Sequence, residues 1–178
     1  GLGRGRSAAS PENVRAGGDV MLIGIDASRA AAPQRTGTEN YTLYLVRALL
    51  DLDHSNQYRL YFNTPPAPDL FERSDRVEWM VMPFPRLWTH VRLAWEMLLN
   101  PPDVLFVPAH VVPLLSRVAC VVTVHDLGYR YYPEAHTRGS RIYLELSTRW
   151  SAWVAQRVIA DSEATRRDLI RFYGVDPA

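Results

Sequence analysis

Two short runs constrain this chain more than anything else in it: Asp103 to Val107 (DVLFV) and Cys120 to His125 (CVVTVH). Both are almost continuously apolar and rich in β-branched or aromatic residues, so they need cover on both faces. Strands of that kind sit in the middle of a parallel sheet, and a parallel sheet needs crossover helices on its two sides. Met21 to Asp26 (MLIGID) reads as a third buried strand, closed by a carboxylate. Gln57 to Asn63 (QYRLYFN) and Val77 to Met82 (VEWMVM) alternate and are rich in β formers, and Arg157 to Ala160 (RVIA) adds a last short strand.

Helical patterns fall between these runs. Thr36 and Glu39 form a Thr-x-x-Glu start signal for a helix whose apolar stripe is Tyr41, Leu45, Ala48, Leu49 and Leu52. A second stripe, Leu87, Val91, Ala94, Trp95 and Leu98, is ended by Asn100 and the prolines 101 and 102. A third helix is expected between Tyr143 and Arg157 with Leu146, Trp150 and Trp153 on one side. A fourth runs from Ser162 to Phe172, stopped by Gly174 and Pro177. The predicted class is therefore α/β and Rossmann-like, a mainly parallel sheet with helices on both faces. It occupies one domain over residues 20–178, after a flexible leader or expression remnant over 1–19.

Composition removes several functions. All 20 basic residues are arginine, so neither a Schiff-base lysine nor a phosphate-loop lysine is available. A net charge of +1 gives no whole-molecule field to draw in nucleic acid. The single cysteine, Cys120, lies among valines and reads as a small buried group. The five histidines and the carboxylates show no metal-ligand spacing, so no metal is predicted. The nearly apolar stretch from Val104 to Leu115 is too short to span a bilayer, and residues 1–20 lack a signal core. A cytoplasmic protein is expected. The segment carrying Arg86, Trp88, His90, Arg92 and Trp95 offers a weak contact with an anionic membrane surface, peripheral at the inner face.

In a sheet of this type ligands bind beyond the carboxyl ends of the strands, where strand order reverses. The strands deliver Asp26, Ala27, Ser28 and Arg29 there, then Pro108, Ala109 and His110, then His125 and Asp126, then Asp161, Ser162 and Glu163. Polar residues after strands are common simply because strands end in solvent, which accounts for Asp26 and Asp161. A histidine that continues a buried valine strand is less easily explained so, and His125 is the leading candidate, ahead of His110. Gly37 and Thr38 open a helix whose free N–H groups suit an anion, although structural capping explains them equally. Tyr129, Tyr131 and Tyr132 suit either a carbohydrate-lined cleft or a packed flap. Arg166, Arg167 and Arg171 read as a solvated face.

Val121 to Pro133 (VVTVHDLGYRYYP) and Arg157 to Leu169 (RVIADSEATRRDL) resemble the N-terminal domain of glycosyltransferase family 4, retaining enzymes of the GT-B fold. The opening IGID, the later TGTENY, the DVLFVPAH strand and loop, and the closing FYGVDP agree with it. The resemblance implies the acceptor-binding N-terminal half of a two-domain enzyme that moves a sugar from a nucleotide sugar to a sugar or lipid-linked acceptor. It implies catalytic roles for His125 and Asp126, with His125 beside the reacting sugar carbon. It further implies acceptor or donor-phosphate contacts from Gly37, Thr38, Arg29, His110, Tyr129, Ser162 and Glu163, and no metal or other cofactor. Where the family commonly has a glycine pair this chain has Thr36-Gly37-Thr38. The donor half is expected beyond Ala178, so the chain alone is expected to be inactive.

Two other readings stand beside this one. A non-catalytic Rossmann-like binding or assembly module would self-associate through the exposed interdomain face. A dinucleotide oxidoreductase is disfavoured, because the first loop lacks the G-x-G-x-x-G fingerprint.

Overall fold

The computed structural model describes residues 20–109, 111–115 and 117–177. The leader over 1–19 and the candidate His110 lie outside the described residues. Six strands, β1 (Leu22–Asp26), β2 (Gln57–Phe62), β3 (Val77–Val81), β4 (Val104–Val107), β5 (Ala119–Val124) and β6 (Arg157–Ala160), form one sheet. Its order is β3-β2-β1-β4-β5-β6, and every pairing is parallel. The direction of winding reverses between β1 and β4, the point beyond whose carboxyl edge sheets of this order bind their ligands. The two runs that demanded central places, β4 and β5, lie inside the sheet as read.

The helices are α1 (Gly37–Leu52), α2 (Ala94–Leu99), the short α3 (Gly128–Tyr131), α4 (Arg138–Val154) and α5 (Glu163–Tyr173). One apolar layer joins Leu43, Val46 and Leu50 of α1 to Ile25, Leu60 and Phe62. The other joins Leu93 and Met97 to Tyr61, Leu105, Cys120 and Val122. Cys120 is buried there, as its surroundings indicated. Gly24 is required by packing, since a Cβ would stand 2.8 Å from Pro102 and 2.9 Å from the Tyr61 ring. Gly174 ends α5 in the left-handed region, at φ 66°, where other residues pay a steric cost.

The boundaries of α1 and α5 follow the sequence, α4 begins at Arg138, five residues before the expected start, and apart from Ala94, which is buried, the buried faces are largely not the expected ones. On α1 the buried positions include Thr42, Leu43, Val46 and Leu50, and Leu52 lies past the sheet, 82% exposed. In the second helix Trp88, Leu93 and Met97 are buried while Leu87, Val91, Trp95 and Leu98 face outward. The cause is a π turn over Thr89–Leu93, which widens the interval between buried residues from four to five at Trp88 and Leu93. On α4 the buried positions are Ser147, Thr148 and Ser151, whose small side chains let the helix approach the sheet closely. Leu146 and Trp153 turn to solvent as a result. Trp88 is inside and donates its indole N–H to the Met82 carbonyl at 2.8 Å, and Arg92 pairs with Glu96 at 2.8 Å. The basic and aromatic surface expected over residues 86–95 is therefore not assembled. Among the described residues, no helix is long and apolar enough to cross a membrane.

Candidate functional site at the carboxyl edge of the sheet

β5 pairs with β6 in the register Val124↔Ala160, so His125 and Asp161 are the next residues on adjacent strands. Asp161 Oδ2 lies 2.9 Å from His125 Nδ1. On the other side of the ring, Nε2 is 2.9 Å from the Pro108 carbonyl at the end of β4. A neutral imidazole can donate to only one of these acceptors, whereas the imidazolium donates to both. Tyr41 of α1 meets the ring edge-on, with centroids 4.7 Å apart, and its hydroxyl is 3.3 Å from Thr123 Oγ1. The Thr165 hydroxyl donates to the His125 carbonyl at 2.7 Å, which ties the strand end to the first turn of α5. Three segments far apart in sequence, around Tyr41, Pro108 and Asp161, thus fix one side chain, itself only 11% exposed.

Asp126 is exposed and its Oδ1 accepts the Gly128 N–H at 2.7 Å, so here it shapes the turn that starts α3. Ser162 caps α5 by accepting the Thr165 N–H at 3.1 Å, and Glu163 beside it pairs with Arg166 at 3.4 Å. Tyr129 turns inward. It is 5% exposed and packs with Val124, Leu127 and Leu169, its hydroxyl 2.7 Å from that of Tyr173. A packed flap, rather than a ring presented to a cleft, is what this tyrosine forms. Tyr131 and Tyr132 remain exposed.

The first loop is a separate cluster. Asp26, buried at the end of β1, accepts the Ser28 hydroxyl at 2.5 Å and its N–H at 3.1 Å. Burial raises its carboxyl above the usual value of 3.8, against those hydrogen bonds and Arg29. Glu39 is shifted the opposite way. The Thr36 hydroxyl donates to its carboxylate, as does the Thr36 N–H at 3.0 Å, and the carboxyl lies below its usual 4.5. This completes the capping box expected from Thr36 and Glu39. Arg29, 59% exposed, reaches Glu39 at 3.4 Å. Gly37 and Thr38 form the first turn of α1, and the space beside the Gly37 Cα is open. Tyr41 is one turn further along the same helix, so this N-terminus stands about 6 Å along the axis from the ring that touches His125.

Sequence reasoning placed Asp161 and Pro108 at strand ends and Tyr41 on the core stripe of α1, and gave none of them a contact with His125. For Asp161 a signal existed, because VTVH and RVIAD end in step once β5 and β6 are paired. For Tyr41 there was none, since its contact arises only from the way α1 crosses the sheet. His90 was read only as part of a surface. Its Nε2 lies 3.2 Å from the Tyr143 hydroxyl, its Nδ1 is buried without a partner, and burial lowers its pKa from 6.5.

An α/β domain with a Rossmann strand order and a fixed imidazole at the carboxyl edge of its sheet is the class that fold and site define. The family model for Glycosyltransferase Family 4 matches residues 35–178, and the chain belongs to that family. Among solved structures the chain is similar to an alpha-glucosyltransferase in complex with UDP and a 13-mer DNA containing a HMU base. The identity is 14% and the TM-score 0.40, over 80% of this chain. The chain spans 38% of that protein's length. No curated protein matches the chain.

Proposed function

We propose that this chain is the N-terminal, acceptor-side half of a two-domain GT-B glycosyltransferase that moves a sugar from a nucleotide sugar to a sugar or lipid-linked acceptor with retention of configuration. Family membership supports the reading, and the observation that carries it is the imidazole of His125, held by Asp161 and Pro108 at the carboxyl edge of the sheet. In this reading His125 contacts the transferring sugar, and Asp161 is a positioning residue that sets the ring's orientation.

The departing diphosphate needs stabilisation as charge builds on it. The capping box occupies the Thr36 N–H and hydroxyl, and the N–H groups of Gly37 and Thr38 lie outside those two contacts at the positive end of α1. With Arg29 beside them they make an anion site one helical turn from Tyr41. The reading assigns this chain no metal or other cofactor, and leaves Asp126, Ser162 and Glu163 to shape the rim. The donor sits mainly on a second domain, so the chain alone does not turn over.

The test is release of nucleoside diphosphate from a panel of nucleotide sugars, by this chain and by the longer polypeptide that carries the second domain. Release only by the longer polypeptide, with a product whose anomeric configuration by NMR matches the donor, is expected. Inverted product, or no release by the longer polypeptide with any donor, contradicts the proposal.

A further inference from the structure

His90 and Tyr143 meet where two helical segments leave the carboxyl edge of the sheet. The segment that carries His90 follows β3, and α4, which carries Tyr143, follows β5 and the short α3. His90 lies in the π turn over Thr89–Leu93, a distortion frequent at functional sites. Its Nε2 is 3.2 Å from the Tyr143 hydroxyl, and the two rings meet edge to face at 6.1 Å. Its Nδ1 is buried without a partner, and burial lowers its pKa from 6.5, so the ring is neutral at pH 7.

A neutral imidazole carries one N–H. On Nδ1 that hydrogen would be a donor orphaned away from water, whereas on Nε2 it donates to the Tyr143 oxygen. The second arrangement costs less, because a buried lone pair is tolerated better than a buried N–H. His90 therefore fills an acceptor position of the Tyr143 oxygen, and the phenolic hydrogen is turned away from the imidazole. Tyr143 is 44% exposed and its hydroxyl has no other partner among the described residues, so that hydrogen is presented to solvent.

The charge acting on this hydroxyl is positive. Burial raises the Tyr143 phenol above its usual 10.0, and Arg29, in the loop after β1, opposes that shift as the one charge that acts on it among the described groups. The carboxylates near Arg29 have partners of their own, Asp26 in Ser28 and Glu39 in Thr36. At the start of α4, Arg138 and Arg141 form no ion pair among the described residues, and the first turn holds no acidic residue. Between Pro133 and Tyr143 the only carboxylate is Glu134. Cations at that helix end oppose the dipole, and a bound anion relieves them.

We propose that Tyr143, oriented by His90, donates its hydroxyl to an oxyanion of the acceptor, a phosphate or a carboxylate, with Arg29 supplying the countercharge. Tyr143 is then a binding residue and His90 a positioning residue. The assignment to the acceptor rests on the transferase reading, which gives the departing diphosphate to Gly37 and Thr38 on the other layer of the sheet. The contact itself does not rest on it.

NMR of the full chain tests it, with glycerol 3-phosphate and glycerate as probes and glycerol as the neutral control. His90 is expected as the Nε2–H tautomer at pH 7, read from long-range proton–nitrogen couplings. Either anion, but not glycerol, is expected to shift the Tyr143 ring signals, and the tighter of the two names the oxyanion. Tyr143→Phe and, separately, Arg29→Gln should each weaken that binding about tenfold. His90→Phe, which keeps the ring contact and drops the hydrogen bond, should weaken it about threefold by freeing the hydroxyl to rotate. An Nδ1–H tautomer, no shift with either anion, or equal shifts with glycerol overturns the proposal. So do shifts confined to Gly37 and Thr38, or binding unchanged in both Tyr143→Phe and Arg29→Gln. These readouts report binding, so failure of the longer polypeptide to release nucleoside diphosphate sinks the transferase reading separately.

Discussion

The loop after β1 and the turn after β5 both gather polar groups at the same edge of the sheet, yet they satisfy them differently. In the first, Asp26 is bonded by Ser28 and Glu39 by Thr36, partners two and three residues away. In the second, His125 is bonded to Asp161, 36 residues on, and to Pro108, 17 residues back. Local partners fold a loop onto itself and would form on an isolated segment. Distant partners hold one ring at a fixed place relative to three strands. The bonds of the first loop set its own shape, and those of the second turn set the position of one ring.

That contrast can be attacked from both ends. Removing the ring, His125→Ala, is expected to lower turnover of the proposed two-domain enzyme about a hundredfold or more while the melting temperature stays near wild type. A large loss of thermal stability in that variant would make the imidazole structural and erase the distinction. Asp161→Ala should cost roughly ten- to a hundredfold in kcat by releasing the ring's orientation, and should change the pH dependence of kcat as well. A drop in kcat with an unmoved pH profile would argue for a merely structural carboxylate.

On the local side, Glu39→Gln is expected to destabilise the fold by about 1 kcal/mol at neutral pH through the capping box, read by urea unfolding. Because the Glu39 carboxyl is lowered below 4.5 in the folded state, this contribution is present above 4.5 and lost as pH falls through the folded value. Asp26 has the opposite sign. Its carboxyl is raised above 3.8, so the ionised form is a cost at neutral pH that disappears below the unfolded value. Asp26→Asn, which can still accept from Ser28, should melt higher than wild type at pH 7, and the gap should close on acidification. A gap that widens toward acid pH would refute the burial argument.

The strands were legible because a buried parallel strand writes itself as an uninterrupted apolar run, and all six appear within a residue or two of their expected limits. The capping box and the glycine stop of α5 were legible for the same reason, being local chemistry. The helix faces were not. Periodicity counts residues at α spacing, so the π turn at Thr89–Leu93 shifted the phase unseen. On α4 serine and threonine took the buried side that leucine and tryptophan would be assigned. At the rim His125 could be singled out because it continues a valine strand. Its anchors could not, since they depend on strand order, and strand order is not a local property. Tyr129 shows the converse, an aromatic residue near the rim whose direction was decided by the small cluster around Leu169.

The most direct measurement is a double-mutant cycle in kcat over His125→Ala and Asp161→Ala in the proposed two-domain enzyme. If the carboxylate acts only by holding the ring, the double variant will be no slower than His125→Ala alone. Losses that multiply would show two independent contributions and contradict the account.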